Sequence, residues 1–213
     1  MQLFLKKVYP VYIEPEKIAG SQIWNSDILF LKGEKTQIVA PSGSGKTSLI
    51  HFLYGLRKEY KGEIAYDNKN ISAFSNEDFA TWRQNKISII FQDLRLFNEH
   101  TVRQNLDIKR LLSPFHTENK IEQFAVRLGI KNKLDKQVKT CSYGEQQRIA
   151  IIRSLLQPFD FLLADEPFSH LDENNRRIAM ELIEEEVAAR NAAIILADLK
   201  KMEYFNAEKT YHL

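Results

Sequence analysis

The 213-residue sequence has one cysteine, Cys141, and no hydrophobic run long enough to cross a membrane. A single cysteine cannot form a disulfide within the chain, which excludes a disulfide-stapled module and fits a reducing cytoplasm. The apolar runs at 87–91, 161–164 and 193–197 are far shorter than the roughly 20 residues of a transmembrane helix. Charged residues interrupt the first 17 positions, so we expect no signal peptide.

An excess of one charge is also missing, because 30 basic residues face 28 acidic ones. The sequence therefore has no polybasic field for nucleic acid or anionic lipid, and we expect no nucleic-acid partner. Its length and its 44% apolar composition suit one globular domain with a sizeable core. No internal repeat and no Pro/Gly/Ser-rich linker divides the chain.

Short strand-like runs alternate with helical patterns at 36–54 and again at 159–197. This alternation predicts a parallel sheet flanked by helices. The first 35 residues and the segment 61–71 read as short strands and turns, which predicts a small antiparallel layer beside the main sheet. Helical patterns dominate between about residues 93 and 157, so we expect a helical insertion there.

Residues 40–48 read APSGSGKTS and lie between an apolar strand pattern and a helical one. A phosphate-binding loop needs glycines for tight turns, a lysine for the β- and γ-phosphates and a hydroxyl for Mg²⁺. Ala40 stands where the strict pattern has its first glycine. A plain Gly/Ser-rich turn is the alternative, but a loop that opens a helix favours an anion. The predicted nucleotide-binding residues are Ser42, Gly43, Ser44, Gly45, Lys46, Thr47 and Ser48.

The stretch FDFLLADEP ends an apolar strand pattern in two adjacent carboxylates, Asp165 and Glu166. Alone, the pair reads equally well as a strand that stops at a polar turn before Pro167. Beside a phosphate-binding loop it has a chemical purpose. We predict that Asp165 holds Mg²⁺ through its water shell and that Glu166 orients or deprotonates the attacking water.

The stretch CSYGEQQRIAIIRSL, which starts at Cys141, has the pattern of a helix start, with Ser142 and Glu145 as a capping box. Capping does not account for the other residues that accompany them. Here the chain resembles the ATP-binding cassette (ABC) ATPases, whose signature reads LSGGQ or LSGGEQQR. Ser142 and Gly144 match that signature, while Cys141 replaces its leucine and Tyr143 its first glycine. The resemblance implies that Ser142, Gly144 and Glu145 contact the ATP of a second subunit.

Two further stretches match the same family in the family's order. The segment IIFQDLRLF resembles the Q-loop, which implies that Gln92 touches Mg²⁺ and water and relays the state of the site to a membrane partner. The segment SHLD resembles the D-loop and implies that Asp172 lies at a dimer interface. The resemblance implies a head-to-tail dimer, homomeric or heteromeric, that binds two ATP molecules. It also gives the metal ligands as Thr47, Gln92 and Asp165.

The resemblance covers nearly the whole chain and implies an α/β P-loop fold. We expect one ABC ATPase domain over 1–213, with a mainly parallel core sheet, helices on both faces, a small antiparallel β subdomain and a helical subdomain. The expected subdomains are antiparallel β at 1–35 and 60–75, the P-loop core at 36–59, 76–92 and 158–213, and the helical part at 93–157.

One family feature is missing. ABC ATPases usually carry a histidine just after the last core strand, where it contacts the γ-phosphate. Here the strand pattern 192–197 runs into Asp198, and none of the five histidines fits that position. If the alignment is shifted by one residue, Asp198 becomes the residue that normally follows the histidine, and the histidine itself is deleted. An ionised carboxylate cannot donate a hydrogen bond to phosphate, and its like charge repels phosphate. Since Glu166 is present, we predict a working but slow ATPase. The alternative is a nucleotide-binding module with little turnover.

The aromatic residue that stacks on adenine in this family lies before the phosphate-binding loop, in a poorly patterned region. Tyr12 is our candidate, and Tyr9 is the alternative. His170 has the placement of a loop residue at the dimer interface rather than of a substitute for the absent histidine.

The predicted function is the ATP-hydrolysing subunit of an ABC transporter, peripheral on the cytoplasmic face of the inner membrane, with separate integral membrane permease subunits. Residues 91–106 are similar to the small ATPases of lipoprotein release, macrolide export and cell division. The chain ends soon after the strand pattern 192–197, which also favours that group. A non-transport regulator of the cell-division type is the alternative. Nucleic-acid ABC ATPases carry long insertions that this sequence lacks.

Overall fold

The computed structural model describes residues 1–213 and contains nine strands and seven α-helices. In chain order they are β1 (Gln2–Pro10), α1 (Pro15–Ala19), β2 (Asp27–Leu31), β3 (Lys35–Val39), α2 (Lys46–Leu53), β4 (Tyr60–Tyr66), β5 (Lys69–Asn70), α3 (Asn76–Asn85), β6 (Ile87–Ile90), α4 (Val102–Leu112), α5 (Glu118–Arg127), α6 (Tyr143–Leu155), β7 (Phe161–Asp165), α7 (Glu173–Ala189), β8 (Ala193–Asp198) and β9 (Lys209–His212).

The larger sheet has five strands in the order β6-β7-β8-β3-β9, and every pair in it is parallel. Helices cover both of its faces, so its inner strands are buried throughout and read as unbroken apolar runs. All five residues of β7 are buried. The predicted parallel sheet is confirmed. Its carboxyl edge collects the ends of β3, β6, β7 and β8, which is where open α/β sheets bind ligands.

The smaller sheet is antiparallel, with the order β2-β1-β4-β5. Leu5 of β1 pairs with Ile28 of β2 on one side and with Ile64 of β4 on the other. All three side chains are buried, so one face of this sheet packs on the core. The predicted antiparallel layer is confirmed.

The parallel sheet separates two hydrophobic cores. Along β7, Leu162 and Ala164 belong to one core, while Phe161 and Leu163 belong to the other, as the two-residue period of a strand requires. The first core is shared with α4, α5, α6 and α7. The second is shared with α2, α3 and the antiparallel sheet. Helices therefore lie on both faces, as predicted.

Two elements differ from the sequence prediction. The run 193–197 is not the last strand, because β9 follows it and pairs with β3 at the sheet edge. Its four residues are only partly buried or exposed, so no apolar run marked it. The helix α1 lies in a region where only strands and turns were expected, and Pro15 starts it. No helix in the structure is both long enough and apolar enough to span a bilayer.

Candidate nucleotide-binding and hydrolysis site

The loop between β3 and α2 turns on two glycines with left-handed backbone angles. Gly43 has φ 75° and Gly45 has φ 99°, and α2 begins at the next residue. Gly45 is also packed tightly, since an added Cβ would lie 3.0 Å from the ring of Trp24. The indole Nε1 of Trp24 donates to the Ser44 carbonyl at 3.2 Å. This buried tryptophan packs against the loop, and no local sequence pattern predicted that contact.

The loop faces a cleft of about 360 Å³, which we call the phosphate cleft. It is lined by Tyr12, Ile13, Glu14, Lys17, Ser42, Gly43, Gly45, Lys46, Thr47, Ser48, Gln92 and Glu166. Ser44 does not line it, because its side chain is buried and its Oγ donates to the Pro41 carbonyl at 2.8 Å. Ala40 is fully buried at the end of β3, so a methyl group is accommodated where the strict pattern has glycine.

Lys46 lies between the loop and the acidic end of β7. Its Nζ donates to the carbonyls of Ala40 (2.8 Å) and Pro41 (3.1 Å), and it lies 3.3 Å from Oε1 of Glu166. The helix α2 points its N-terminus at the same cleft, with free N–H groups and a positive dipole end. The cleft thus combines a buried cation and a helix N-terminus, which is the arrangement that binds phosphate groups.

Tyr12 lies at one end of the phosphate cleft, with 55% of its surface exposed. Its hydroxyl is 2.7 Å from the Ser48 Oγ at the start of α2. Tyr9 instead packs against the core under the antiparallel sheet. Of the two aromatic candidates, only Tyr12 lines the phosphate cleft and presents a ring on which a base can stack.

Three oxygen-bearing side chains converge from three elements at the carboxyl edge of the sheet. Asp165 ends β7, Thr47 lies in the first turn of α2 and Gln92 follows β6; all three line a second opening beside the phosphate cleft. The Thr47 hydroxyl donates to the Gln92 Oε1 at 3.4 Å.

Both carboxyl oxygens of Asp165 are buried and accept no hydrogen bond within the chain. Burial raises the pKa of this carboxyl group from 3.8 to about 6. A cation stabilises such a buried carboxylate, and carboxylate, hydroxyl and amide oxygens are the donors that Mg²⁺ takes. The residues present therefore fit Mg²⁺.

Glu166 has an unusual backbone. Its φ of 45° lies in the left-handed region, which is costly for a non-glycine residue and persists only when the surroundings hold it. Its N–H donates to the Ala197 carbonyl at 2.9 Å. Its own carbonyl accepts from the Gln147 Nε2 at 3.4 Å. This conformation leaves the carboxyl group of Glu166 lining the phosphate cleft and a neighbouring cleft of about 590 Å³.

The neighbouring cleft also contains Asp198, at the end of β8, and no histidine lines it. The Asp198 carbonyl accepts from the Ala40 N–H at 3.0 Å, and its Oδ1 accepts from the Leu199 N–H at 2.6 Å. Burial raises the pKa of the Asp198 carboxyl group, and Glu166 adds to the rise through its charge. The end of β8 therefore presents a carboxyl group to this cleft, and no histidine.

The helix α6 starts with the predicted capping box. The Ser142 Oγ accepts from the Glu145 N–H at 3.3 Å, and the Glu145 carboxylate accepts from the Ser142 N–H at 2.8 Å. Tyr143 is 45% exposed, and its ring centroid lies 4.1 Å from that of His170. At Gly144 an added Cβ would lie 3.1 Å from the His170 carbonyl, so a small residue is needed where α6 meets this loop.

Asp172 caps the helix α7. Its Oδ1 accepts from the Asn175 N–H at 2.8 Å, and its Oδ2 accepts from the Asn175 side-chain amide at 2.7 Å. These hydrogen bonds lower the pKa of the Asp172 carboxyl group. The phosphate cleft contains neither Asp172 nor the three signature residues; of the signature region, only Tyr143 reaches the opening that Thr47 and Asp165 line.

Comparison with known proteins places this site in a family. Residues 25–169 match the family model described as ABC transporter. The chain is 34% identical over 168 residues to the lipoprotein-releasing system ATP-binding protein LolD of Buchnera aphidicola subsp. Schizaphis graminum, covering 78% of this chain and 73% of that protein. It is 31% identical over 80% of its length to the macrolide export ATP-binding/permease protein MacB of Nitrosomonas europaea, of which it covers 26%.

The fold is shared with a solved structure of the dimeric ATP-binding cassette MJ0796 in a post-hydrolysis state bound to ADP and Pi. The TM-score is 0.80 at 22% identity, over 93% of this chain and 88% of that one. Together with the family match, this makes the resemblance noted in the sequence a family membership. The chain belongs to the ABC transporter family, as an ATPase subunit of the group that includes the lipoprotein-releasing and macrolide-export ATP-binding proteins.

Proposed function

We propose that the chain works as a head-to-tail dimer of ABC ATPase subunits that encloses Mg²⁺ and ATP and drives separate integral membrane permease subunits. The observation that carries the proposal is the separation of the site's two halves. The phosphate cleft and the N-terminus of α6 are both on the surface, but Ser142, Gly144 and Glu145 do not line that cleft. A second subunit in head-to-tail orientation brings its α6 to the cleft and completes the site.

Within one site, the chain's own residues divide the work. Lys46 and the N–H groups of the loop at 42–48 bind the phosphates, and Tyr12 stacks on the adenine. Thr47, Gln92 and Asp165 would hold Mg²⁺, which neutralises phosphate charge when bound. Glu166 lies at the cleft wall, 3.3 Å from Lys46, and accepts a proton from the attacking water or orients it.

Turnover is slow in this proposal because Asp198 offers no hydrogen-bond donor to the γ-phosphate when it is ionised. Its Oδ1 is already committed to the Leu199 N–H. The negative charge of Asp198 opposes the charge that develops on the transferred phosphoryl group.

The names of the relatives support the proposal of a membrane partner. One relative is the ATP-binding protein of a lipoprotein-releasing system, and another combines ATP-binding and permease functions in one chain. Because the first of these is described as the ATP-binding protein of its system, we assign the permease function to other subunits by analogy. The ATPase would then sit peripherally on the cytoplasmic face of the inner membrane.

The test compares wild-type protein with Glu166→Gln in Mg²⁺ and ATP. We expect wild type to release phosphate slowly and to stay mostly monomeric at steady state. Glu166→Gln should lower the release rate by at least about 100-fold and accumulate as an ATP-bound dimer on size-exclusion chromatography, because ATP joins the subunits but is not cleaved.

Lys46→Ala serves as the control, since it removes the phosphate-binding cation and should give neither turnover nor dimer. The proposed ATPase activity is contradicted if the wild-type protein releases phosphate no faster than Glu166→Gln. The dimer proposal is contradicted by a Glu166→Gln protein that binds ATP and remains monomeric.

A further inference from the structure

The helix α6 carries a buried glutamine whose amide is directed entirely at the loop after β7. Gln147 is 1% exposed. Its Nε2 donates to the Glu166 carbonyl at 3.4 Å and to the Ser169 Oγ at 3.3 Å. Its Oε1 accepts from the His170 N–H at 2.9 Å. One side chain thus contacts three residues of the segment 166–170 and leaves no polar atom unpaired.

This segment begins with a residue that needs external support. Glu166 has φ 45°, and such a backbone persists only when neighbouring groups fix it. Its N–H is fixed by β8 through the Ala197 carbonyl. Its carbonyl accepts two hydrogen bonds. One comes from the Ser169 N–H of the same turn at 3.4 Å, and the other comes from the Gln147 side chain. Gln147 is therefore the contact that ties the Glu166 peptide to α6.

A second contact between the same two elements is steric. The Gly144 backbone lies so close to the loop that an added Cβ would meet the His170 carbonyl at 3.1 Å. The close approach and the three hydrogen bonds of Gln147 lie about one helical turn apart on α6. They restrict both the distance and the rotation of α6 relative to the segment 166–170.

We propose that Gln147 is a positioning residue that couples the placement of α6 to the orientation of Glu166 within one chain. The proposal rests on the proposed function, in which the N-terminus of α6 contacts the ATP bound by the second subunit. When α6 docks on that ATP, Gln147 transmits its position to the carboxylate that serves the chain's own ATP. The two sites of the dimer are coupled through this amide.

The chain offers a matched control in the preceding residue. Gln146 lies on the same helix, and its Nε2 donates to the carbonyls of Cys141 (3.0 Å) and Val138 (3.4 Å) rather than to the segment 166–170. Methionine has nearly the volume of glutamine and makes no amide hydrogen bond. Gln147→Met and Gln146→Met therefore each remove the hydrogen bonds of one side-chain amide on the same helix. Only Gln147→Met removes those to the segment 166–170.

The experiment measures kcat and KM for ATP together with hydrogen exchange of the peptide covering 166–171. For Gln147→Met we expect kcat to fall about tenfold or more, because small displacements of a catalytic group are costly. The KM for ATP should stay within twofold, since Gln147 does not line the phosphate cleft. Exchange in 166–171 should become faster, while Gln146→Met keeps both kcat and that exchange within twofold of wild type.

Gln147→Glu distinguishes the acceptor role of the amide oxygen from the donor role of the amide nitrogen. Its carboxylate still accepts from the His170 N–H but cannot donate to the Glu166 carbonyl when ionised. We expect kcat to fall as in Gln147→Met while the His170 amide stays protected. This second variant also guards against a folding failure of the first, which a melting curve would reveal.

The proposal is overturned if both Gln147 variants keep kcat within twofold of wild type, if Gln146→Met loses as much activity as Gln147→Met, or if exchange in 166–171 is unchanged. A wild-type protein without turnover would instead contradict the proposed function. In that case the exchange of 166–171 in Gln147→Met still decides for or against the coupling.

Discussion

Asp198 ends β8 and places a carboxyl group beside the predicted hydrolysis site. One of its carboxyl oxygens accepts from the Leu199 N–H, and the group lines the same cleft as Glu166. Burial raises the pKa of the Asp198 carboxyl group, so the fold disfavours its charged form. The Leu199 N–H needs an acceptor at Oδ1, and burial of the group favours an uncharged side chain.

Asparagine meets both requirements, which makes Asp198→Asn the informative substitution at this position. Its Oδ1 keeps the hydrogen bond from Leu199, and its NH₂ group replaces a charged oxygen with a donor. We expect kcat for ATP hydrolysis to rise about three- to tenfold, as one added hydrogen bond to phosphate in the transition state allows. Steady-state phosphate release measures this.

The control for Asp198 is alanine, which removes the charge and adds no donor. If the donor is what matters, Asp198→Ala should stay well below Asp198→Asn. An Asp198→Asn enzyme no faster than wild type would show that this carboxyl group does not limit turnover.

At the scale of elements, α6 connects the parts of the site. Its N-terminus carries the capping box of Ser142, its middle contacts the loop after β7 through Gln147, and its last turn reaches the loop after β6. In that last turn, Arg153 donates to the carbonyls of Leu94 and Arg95, each at 2.6 Å. Both of these residues have positive φ, 58° and 50°, so the loop that follows Gln92 is strained and held from α6.

The sequence predicted those features whose physics is local. Strand-like runs, the capping box and the glycine pattern of the phosphate-binding loop each depend on neighbours a few residues away, and each is present in the structure. Trp24 lies in no diagnostic pattern and acts on Ser44, 20 residues away, so only the fold reveals it. Gln147 lies within the signature-like stretch, but its contacts with Glu166, Ser169 and His170 are visible only in the fold. The strand β9 escaped prediction because a half-buried edge strand needs no apolar run.

Arg153 gives a test of the contact between α6 and the loop after β6. Burial lowers the pKa of Arg153 to about 10, so the side chain stays charged at neutral pH while its guanidinium bridges two carbonyls. The ammonium group of lysine lacks the planar, two-pronged donor geometry of a guanidinium, so it cannot reproduce both hydrogen bonds. We expect Arg153→Lys to lower the free energy of unfolding by about 1–3 kcal/mol and to speed hydrogen exchange in 92–97.

The comparison for Arg153 is Arg177→Lys on α7. Arg177 is exposed and makes one loose ion pair with Glu181 at 3.9 Å, so its substitution should change stability by less than about 0.5 kcal/mol. Urea unfolding measures both variants. Equal stabilities for the two would show that the bridge to Leu94 and Arg95 contributes nothing.

For the molecule as a whole, two buried carboxyl groups respond to pH in opposite ways. Asp165, at the site, has a pKa raised to about 6 by burial. Glu186 of α7 is buried too, but contacts with His116 and Arg190 lower its pKa to about 2. Burial therefore opposes the charge of Asp165, whereas the contacts of Glu186 stabilise its charge on the helical side of the sheet.

These shifts set the pH profile of stability. Glu186 has a folded pKa below its ordinary value of 4.5, so its contribution is present above about pH 4.5 and is lost as the pH falls toward 2. Asp165 has a folded pKa above its ordinary value of 3.8. The free-energy cost of burying its charge is therefore present above about pH 6, and it is relieved as the pH falls toward 4. Each shift corresponds to about 3 kcal/mol.

Urea unfolding in EDTA between pH 4 and 8 tests the contribution of Asp165 to this pH dependence. Asp165→Asn should raise the free energy of unfolding by about 2–3 kcal/mol at pH 7.5 and by much less at pH 4.5, because the amide carries no charge to desolvate. The difference between variant and wild type isolates Asp165 from other titrating groups, such as His51, whose pKa burial lowers. The same variant should lose Mg²⁺-dependent ATP hydrolysis, so a gain in stability would accompany a loss of activity. A difference that does not change with pH would show that Asp165 is not held against its charge in the folded protein.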